Sequence, residues 1–270
     1  MSRRALPPSD LREGFKQTAI EAASVAARVV AQHARTGFRI EHKGVLLNLV
    51  TDADRHAEQA IVDVIHAAYP SHQVLAEERG ATGSGSPYKW IIDPLDGTTN
   101  FAHGFPAYCV SIALEYEEQV ILGVVKDATR DELFRAEAGC GAFLNDGRIH
   151  VSQVPRLDQA LLVTGFSYDI RENPQNNLNH FSQFSLRAQG VRRTGSAALD
   201  LCYIAAGRFD GFWELKLNPW DMAAGALMVV EAGGRMSNFK GGLFSIYEGE
   251  MVASNGPIHD EMLAVLTPSV

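Results

Sequence analysis

The sequence predicts an α+β protein, on three observations. Two long amphipathic patterns with helical spacing fill most of residues 9–69. A block of strand-like runs joined by short polar turns follows, ending near residue 136. Beyond Pro155, short apolar runs alternate with helical stretches to the end of the chain. Helices first and paired strands next is the order of an α+β chain.

Residues 1–8, with Arg3-Arg4 and Pro7-Pro8, read as a loose tail. Ser9 is expected to cap a helix reaching about Arg35, with Phe15, Ala19, Ala22, Ala23, Ala26 and Val30 on one face. Its alanines predict close packing against a neighbouring helix, and Gly37 ends it. No regular pattern covers residues 38–50. Thr51 followed by Asp54 has the form of a capping box and opens a second helix to about Tyr69, stopped by Pro70. Residues 73–76 form a short strand ending at Glu77-Glu78, and a Gly/Ser-rich surface loop follows at 80–87. Residues 108–116, 120–126 and 133–136 continue as strands, with glycines marking turns around Asn145-Asp146.

In the second half, strands are expected at 160–165, 191–193, 209–214, 235–238 and 251–253. Helices are expected at 174–189, 196–206, 221–232 and 257–266. No internal repeat or low-complexity segment is present. The organisation expected is the tail plus one domain, 9–270, made of two closely packed halves, 9–155 and 156–270.

The stretch around which the rest is organised is Trp90-Ile91-Ile92-Asp93-Pro94-Leu95-Asp96-Gly97-Thr98-Thr99-Asn100-Phe101. An apolar strand delivers two carboxylates, Asp93 and Asp96, around a proline that biases Asp93 toward extended backbone. Gly97 permits a tight turn, and Thr98-Thr99-Asn100 can cap or open a helix. Hard oxygen donors beside free N–H groups of a helix start suit a divalent cation and a phosphate together. Glu77-Glu78 end the preceding strand, Asp54 lies in a helix start, and Asp221 opens a helix after Pro219-Trp220. Read alone, Asp221 is better explained as a helix-start acid favoured by the dipole. Ser196 reads as a helix cap, Glu214 as a strand-end surface acid, and Arg192-Arg193 as structural charges.

The chain has 270 residues, 46% hydrophobic and 21% charged, with net charge −8. That balance argues against a nucleic-acid or anionic-membrane binder and requires local cations for any phosphate ester. Cys109, Cys140 and Cys202 lack paired spacing and read as reduced, mostly buried thiols. No apolar leader or membrane-length run follows the N-terminus, so a cytoplasmic location is expected.

The 90–101 stretch and Pro219-Trp-Asp-Met-Ala-Ala-Gly225 resemble the two signature motifs of the inositol monophosphatase family. Leu49-Val-Thr-Asp-Ala-Asp54, Glu77-Glu78 and Arg193-Thr-Gly-Ser-Ala-Ala198 match in order and spacing, so the resemblance runs from about residue 12 to 266. It implies an alternating α-β-α-β-α layered fold and a Mg²⁺-dependent phosphatase that hydrolyses inositol monophosphate with a metal-activated water. By the same resemblance, Glu77, Asp93 and the Leu95 carbonyl hold a first Mg²⁺. Asp93, Asp96 and Asp221 hold a second, and Glu77 helps bind a weaker third. Backbone N–H groups of Gly97 and Thr98 hold phosphate oxygens, while Thr98, Asp54 and Glu77 place the attacking water. Gly195, Ser196, Ala197, Glu214 and Asp221 contact substrate, with Glu214 accepting hydrogen bonds from a hydroxyl-rich ring. Lys43 matches a lysine on a mobile loop, and Asn48 stands where the family commonly has Asp. The resemblance further implies lithium sensitivity and a homodimer. The alternatives are hydrolysis of histidinol phosphate or another small monoester on the same scaffold, or a regulatory role through a protein or RNA partner.

Overall fold

A computed structural model describes residues 6–44 and 47–267. Helix α1 (Ser9–Thr36) leads to a hairpin of β1 (Ile40–His42) and β2 (Leu49–Thr51), then α2 (Asp52–Ala68). β3 (Gln73–Ala76), β4 (Gly80–Thr82) and β5 (Tyr88–Asp96) follow, with α3 (Thr98–Ala102) directly after β5. β6 (Cys109–Tyr116), β7 (Gln119–Asp127), β8 (Leu133–Glu137), β9 (Gly141–Leu144) and β10 (Gly147–Ile149) complete the first half. The second half runs β11 (Leu161–Thr164), α4 (Leu178–Ser185), β12 (Gly190–Arg192), α5 (Ala197–Ala205) and β13 (Gly211–Leu215). It ends with α6 (Pro219–Glu231), β14 (Arg235–Ser237), β15 (Glu250–Ser254) and α7 (His259–Leu266).

Eight strands form one sheet in the order β10-β9-β8-β7-β6-β5-β3-β4, antiparallel except where β3 pairs with β5. Five form a second sheet, β12-β11-β13-β15-β14, with parallel pairs on either side of β11. α1 and α2 pack on each other and on one face of the large sheet. α5 and α6 pack on each other, on the large sheet and on the small one, and α4 and α7 cover β12 and β15. The layers therefore alternate α-β-α-β-α. One apolar cluster extends from Phe15 of α1 through Trp90 and Ile112 to Met228 and Met251, joining the two halves.

The alanine face of α1 is buried as its spacing predicts, with Ala19, Ala22, Ala23 and Ala26 inaccessible. α2 opens on the expected capping box of Thr51 and Asp54. Several expectations are corrected. Ser9 does not cap α1: the capping position is Pro8, and no side chain caps the helix. The unpatterned stretch 38–50 contains the β1–β2 hairpin, and the loop at 80–87 contains β4, which pairs with β3. The expected helix at 174–189 shrinks to α4 because Asn177, at φ 70, turns the chain just before it. The turns around Asn145 carry a further hairpin, β9–β10. Of the N-terminal stretch, residues 1–5 lie outside the described residues, whereas Leu6 packs on the core and Pro7 is buried rather than loose. Cys109 and Cys202 are buried, but Cys140 is exposed.

Candidate active site

Strand ends and helix starts meet at one cleft lined by Glu77, Asp93, Leu95, Asp96, Gly97, Thr98, Gly195, Ser196, Ala197, Glu214 and Asp221. Every expected site residue except Asp54 lines it, and Asp54 joins through Thr98.

The ladder of β5 with β6 shifts register between Asp93 and Asp96. Asp93 Oδ1 accepts from the Leu95 N–H at 2.9 Å, folding the turn around Pro94. Gly97 takes φ 95, and a Cβ there would sit 2.8 Å from the Ala107 carbonyl oxygen. Its left-handed turn launches α3, whose first N–H groups have no intrahelical acceptor. Asn100 of α3 donates to the Ala107 and Thr194 carbonyls at 2.7 and 2.8 Å, tying this turn to the second half.

Asp54 is fully buried. Its Oδ2 accepts from the Thr51 N–H and hydroxyl at 2.8 and 2.6 Å, and its Oδ1 lies 3.0 Å from Thr98 Oγ1. The capping box therefore also aims a carboxylate at a cleft threonine. Glu77 is anchored by its N–H to the Ile92 carbonyl at 3.2 Å, so β3 and β5 present their acids side by side. Lys43 Nζ lies 2.9 Å from Glu77 Oε1 and also bridges to Glu78. Glu58, nearly inaccessible, accepts from the Glu78 N–H and from Arg79, each at 2.8 Å, and so fixes the turn that carries Glu77.

Asp221 stands at the third position of α6, and its Oδ2 accepts from the Asn218 N–H at 2.7 Å. It is thus a helix-start acid and a cleft acid at once. Ser196 precedes α5 but makes no side-chain cap. Its hydroxyl instead donates to Asp96 Oδ2 at 2.7 Å, beside the Ala198 N–H at 2.7 Å, which corrects the capping reading. Glu214 is buried rather than a surface acid, and a side chain at Gly165 would collide with its carboxylate.

Burial is the first cause that raises Asp93, Asp96, Glu214 and Asp221 above the usual carboxylate range. Mutual repulsion adds to it: Glu77, Asp96 and Asp221 all act on Asp93. Glu77 is pushed up to about 7 by burial, against the pull of Lys43. Among the cleft's described lining residues the cations are Arg193 and Lys216, and Lys216 is engaged with Asp169 at 2.5 Å. An all-oxygen, anionic donor set with so little counter-charge fits hard divalent cations such as Mg²⁺. The Lys43 ammonium already lies against Glu77 as a positive charge.

Sequence reasoning missed three residues. Asp200 is buried in the cleft wall, held by the Thr194 hydroxyl and raised by burial. Its signal was an acid inside the apolar helix Ala-Ala-Leu-Asp-Leu. Arg193 lines the cleft, where a purely structural role was expected, and Tyr168 lines it from the loop after β11. Arg193 opens the matched stretch Arg193–Ala198, whereas Tyr168 has no pattern that marks it.

The inositol monophosphatase family model matches residues 11–270. The chain belongs to that family. It is 45% identical over 260 residues to an inositol-1-monophosphatase of Synechocystis, covering 96% of this chain and 90% of that protein. It is also 47% identical over 224 residues to the protein named Nus factor SuhB of Pseudomonas aeruginosa, covering 81% and 83%. The inositol monophosphatase structure from Anabaena superposes with a TM-score of 0.87 at 42% identity, over 96% of both chains. Membership in this family makes the chain's class that of a phosphatase. Among the described residues, no helix is long and apolar enough to cross a membrane.

Proposed function

We propose that the protein hydrolyses inositol monophosphate to inositol and phosphate, with Mg²⁺ held by Glu77, Asp93, Asp96, Asp221 and the Leu95 carbonyl. The observation that carries this reading is the meeting, in one cleft, of four weakly compensated carboxylates with the N–H-bearing start of α3. Bound divalent cations supply the positive charge that makes water a nucleophile near neutral pH and stabilises the departing oxygen.

The chain's own residues do the rest. Gly97 and Thr98 offer N–H groups to phosphate oxygens. Thr98 Oγ1 donates to Asp54 or to the Leu95 carbonyl, each at 3.0 Å, which leaves its lone pairs free to accept from the attacking water. Asp54, raised by burial, then draws a proton along that line. Ser196 and the Ala198 N–H fix the Asp96 carboxylate through its Oδ2. Glu214, Gly195 and Ala197 border the alcohol half, and a buried carboxylate accepting from ring hydroxyls favours a polyol. Inhibition by lithium and a homodimeric assembly belong to the same reading.

Phosphate release from inositol 1-phosphate, histidinol phosphate, fructose 1,6-bisphosphate and adenosine bisphosphate, with Mg²⁺ or excess chelator, tests it. Inositol 1-phosphate is expected to turn over fastest, and only with Mg²⁺; preference for histidinol phosphate, or turnover in chelator, overturns it. The relatives named Nus factor carry the alternative of a partner-binding role. The complete acid set favours hydrolysis, because docking a partner needs no buried, mutually repelling carboxylates.

A further inference from the structure

The loop between β11 and α4 carries an aromatic residue that the chemistry above leaves unused. Tyr168 is 47% exposed, yet it lines the acid cleft together with Phe166 and Ser167. Burial, then the charges of Glu77, Asp221, Asp96 and Asp93, raise its phenol above the usual range. The ring is therefore open to solvent while its hydroxyl end lies in the field of the four acids and keeps its proton. Carboxylates are natural acceptors for such a group, but among the described residues the hydroxyl bonds to none. A donor that reaches toward the acids and stops short of them leaves room for something between.

The loop holds this side chain in place from both sides. The Gly165 carbonyl accepts from Asn177 Nδ2 at 2.8 Å, and Asn177 Oδ1 accepts from Trp213 Nε1 at 2.7 Å. Asp169 accepts from Ser167 Oγ at 2.6 Å, from Asn173 Nδ2 at 3.0 Å and from Lys216 Nζ at 2.5 Å. Trp213 lies in β13 and Lys216 directly follows it, and the same strand presents Glu214. One strand thus pins the loop before and after Tyr168. A side chain ordered in advance forms a contact without the usual loss of freedom on binding. The N–H groups of Gly97 and Thr98 approach a phosphate from the first half of the chain, whereas Tyr168 approaches the same acids from the second.

We propose that Tyr168 is a substrate-contacting residue, whose hydroxyl donates a hydrogen bond to a phosphate oxygen while its ring screens that contact from water. The inference rests on the reading of the cleft as a phosphomonoesterase site and gives the phosphate a donor from the second half.

Calorimetric binding of inorganic phosphate to the full chain in saturating Mg²⁺ tests the contact without turnover, beside steady-state kinetics on inositol 1-phosphate. Tyr168→Phe keeps the ring and should weaken phosphate binding and raise KM by about tenfold, the scale of one hydrogen bond to a charged group. Its kcat should stay within about twofold, because the contact exists before and during the reaction. Tyr168→Ala also opens the contact to water and should weaken both further. Circular dichroism melts confirm that each variant is folded. Unchanged phosphate binding by Tyr168→Phe overturns the proposal, whatever the fate of inositol turnover. So does a loss confined to inositol 1-phosphate, which would assign the hydroxyl to the alcohol half. Weakened phosphate binding in a protein that prefers another monoester upholds Tyr168 and rejects the inositol assignment alone.

Discussion

Glu115 and Asp127 are as buried as Asp93 and Asp96, at 3% and 0% exposed against 2% and 9%. Their surroundings differ in counter-charge: Glu115 and Asp127 each lie beside a cation, whereas Asp96 has only hydrogen-bond donors in Ser196 and Ala198. Glu115 accepts from Lys89 Nζ at 2.7 Å and from Tyr247 Oη at 2.6 Å. Asp127 accepts from the Thr129 and Arg130 N–H groups at 2.7 and 3.0 Å, from Arg130 Nη1 at 3.2 Å and from Tyr203 at 3.3 Å. Asp93 has the Leu95 N–H and is faced by three acids. The fold completes the charge of one pair of carboxylates and leaves the cleft's acids to be completed by something that binds. Burial beside an internal cation makes structure; burial without one leaves a site.

The comparison breaks first at the cleft. Asp96→Asn and Asp221→Asn each keep side-chain size but remove a charge, and each should lower kcat/KM by more than about a hundredfold. Their melting temperatures in excess chelator should hold or rise, because a repelled charge has gone. Steady-state kinetics and melts on the same samples check both halves. An Asp221→Asn enzyme with normal turnover would return that residue to the role of a helix-start acid.

The opposite result is expected at the completed acids. Asp127→Asn strands part of a buried network and should cost about 3 kcal/mol of stability. The folded fraction should retain its turnover number. Denaturant unfolding beside activity at equal folded concentration measures the difference.

A smaller, pH-dependent effect sharpens the contrast. Glu77 sits at about 7 in the fold, against an ordinary value of 4.5, and Asp93 and Asp221 are displaced in the same direction. A raised acid favours the native state below its ordinary value, and that contribution disappears as pH climbs through the native one. Metal-free protein should therefore melt progressively lower from about pH 5 to pH 8. Saturating Mg²⁺ should flatten that slope, and scanning calorimetry with and without chelator decides it.

The smallest effect is expected at Lys43, whose ammonium shares Glu77 with any cation that binds there. Lys43→Met should lower the half-saturating Mg²⁺ concentration by about two- to fivefold, the scale of a partly exposed ion pair. Magnesium titration by calorimetry reads it directly. A higher requirement would make Lys43 a helper of the cation rather than its rival.

What the sequence revealed was local. Asp93 to Phe101 is one uninterrupted strand end, glycine turn and helix start, so proline, glycine and two acids declared both its shape and its chemistry. The Thr51–Asp54 box was legible for the same reason. Glu214 and Ser196 were visible as residues, but not by environment: burial of the first depends on packing beside Gly165, and the second bonds a carboxylate from the other half. Asp200 was hidden because an acid in an apolar helix has no motif, only a neighbourhood. The β1–β2 hairpin escaped because its strands are three residues each, too short for alternation to register.

Asp96 also bears on how the chain reaches its working form. Its Oδ2 is held by partners 100 and 102 residues further along. Closing so long a loop comes late when nearer pairings are available. The first-half sheet pairs neighbours in the chain from β5 to β10 and can form without α5 in place. During refolding, secondary structure should therefore return before catalysis, and turnover should appear only with the slow docking of the second half. A chain caught between those events would be compact, strand-rich and inert.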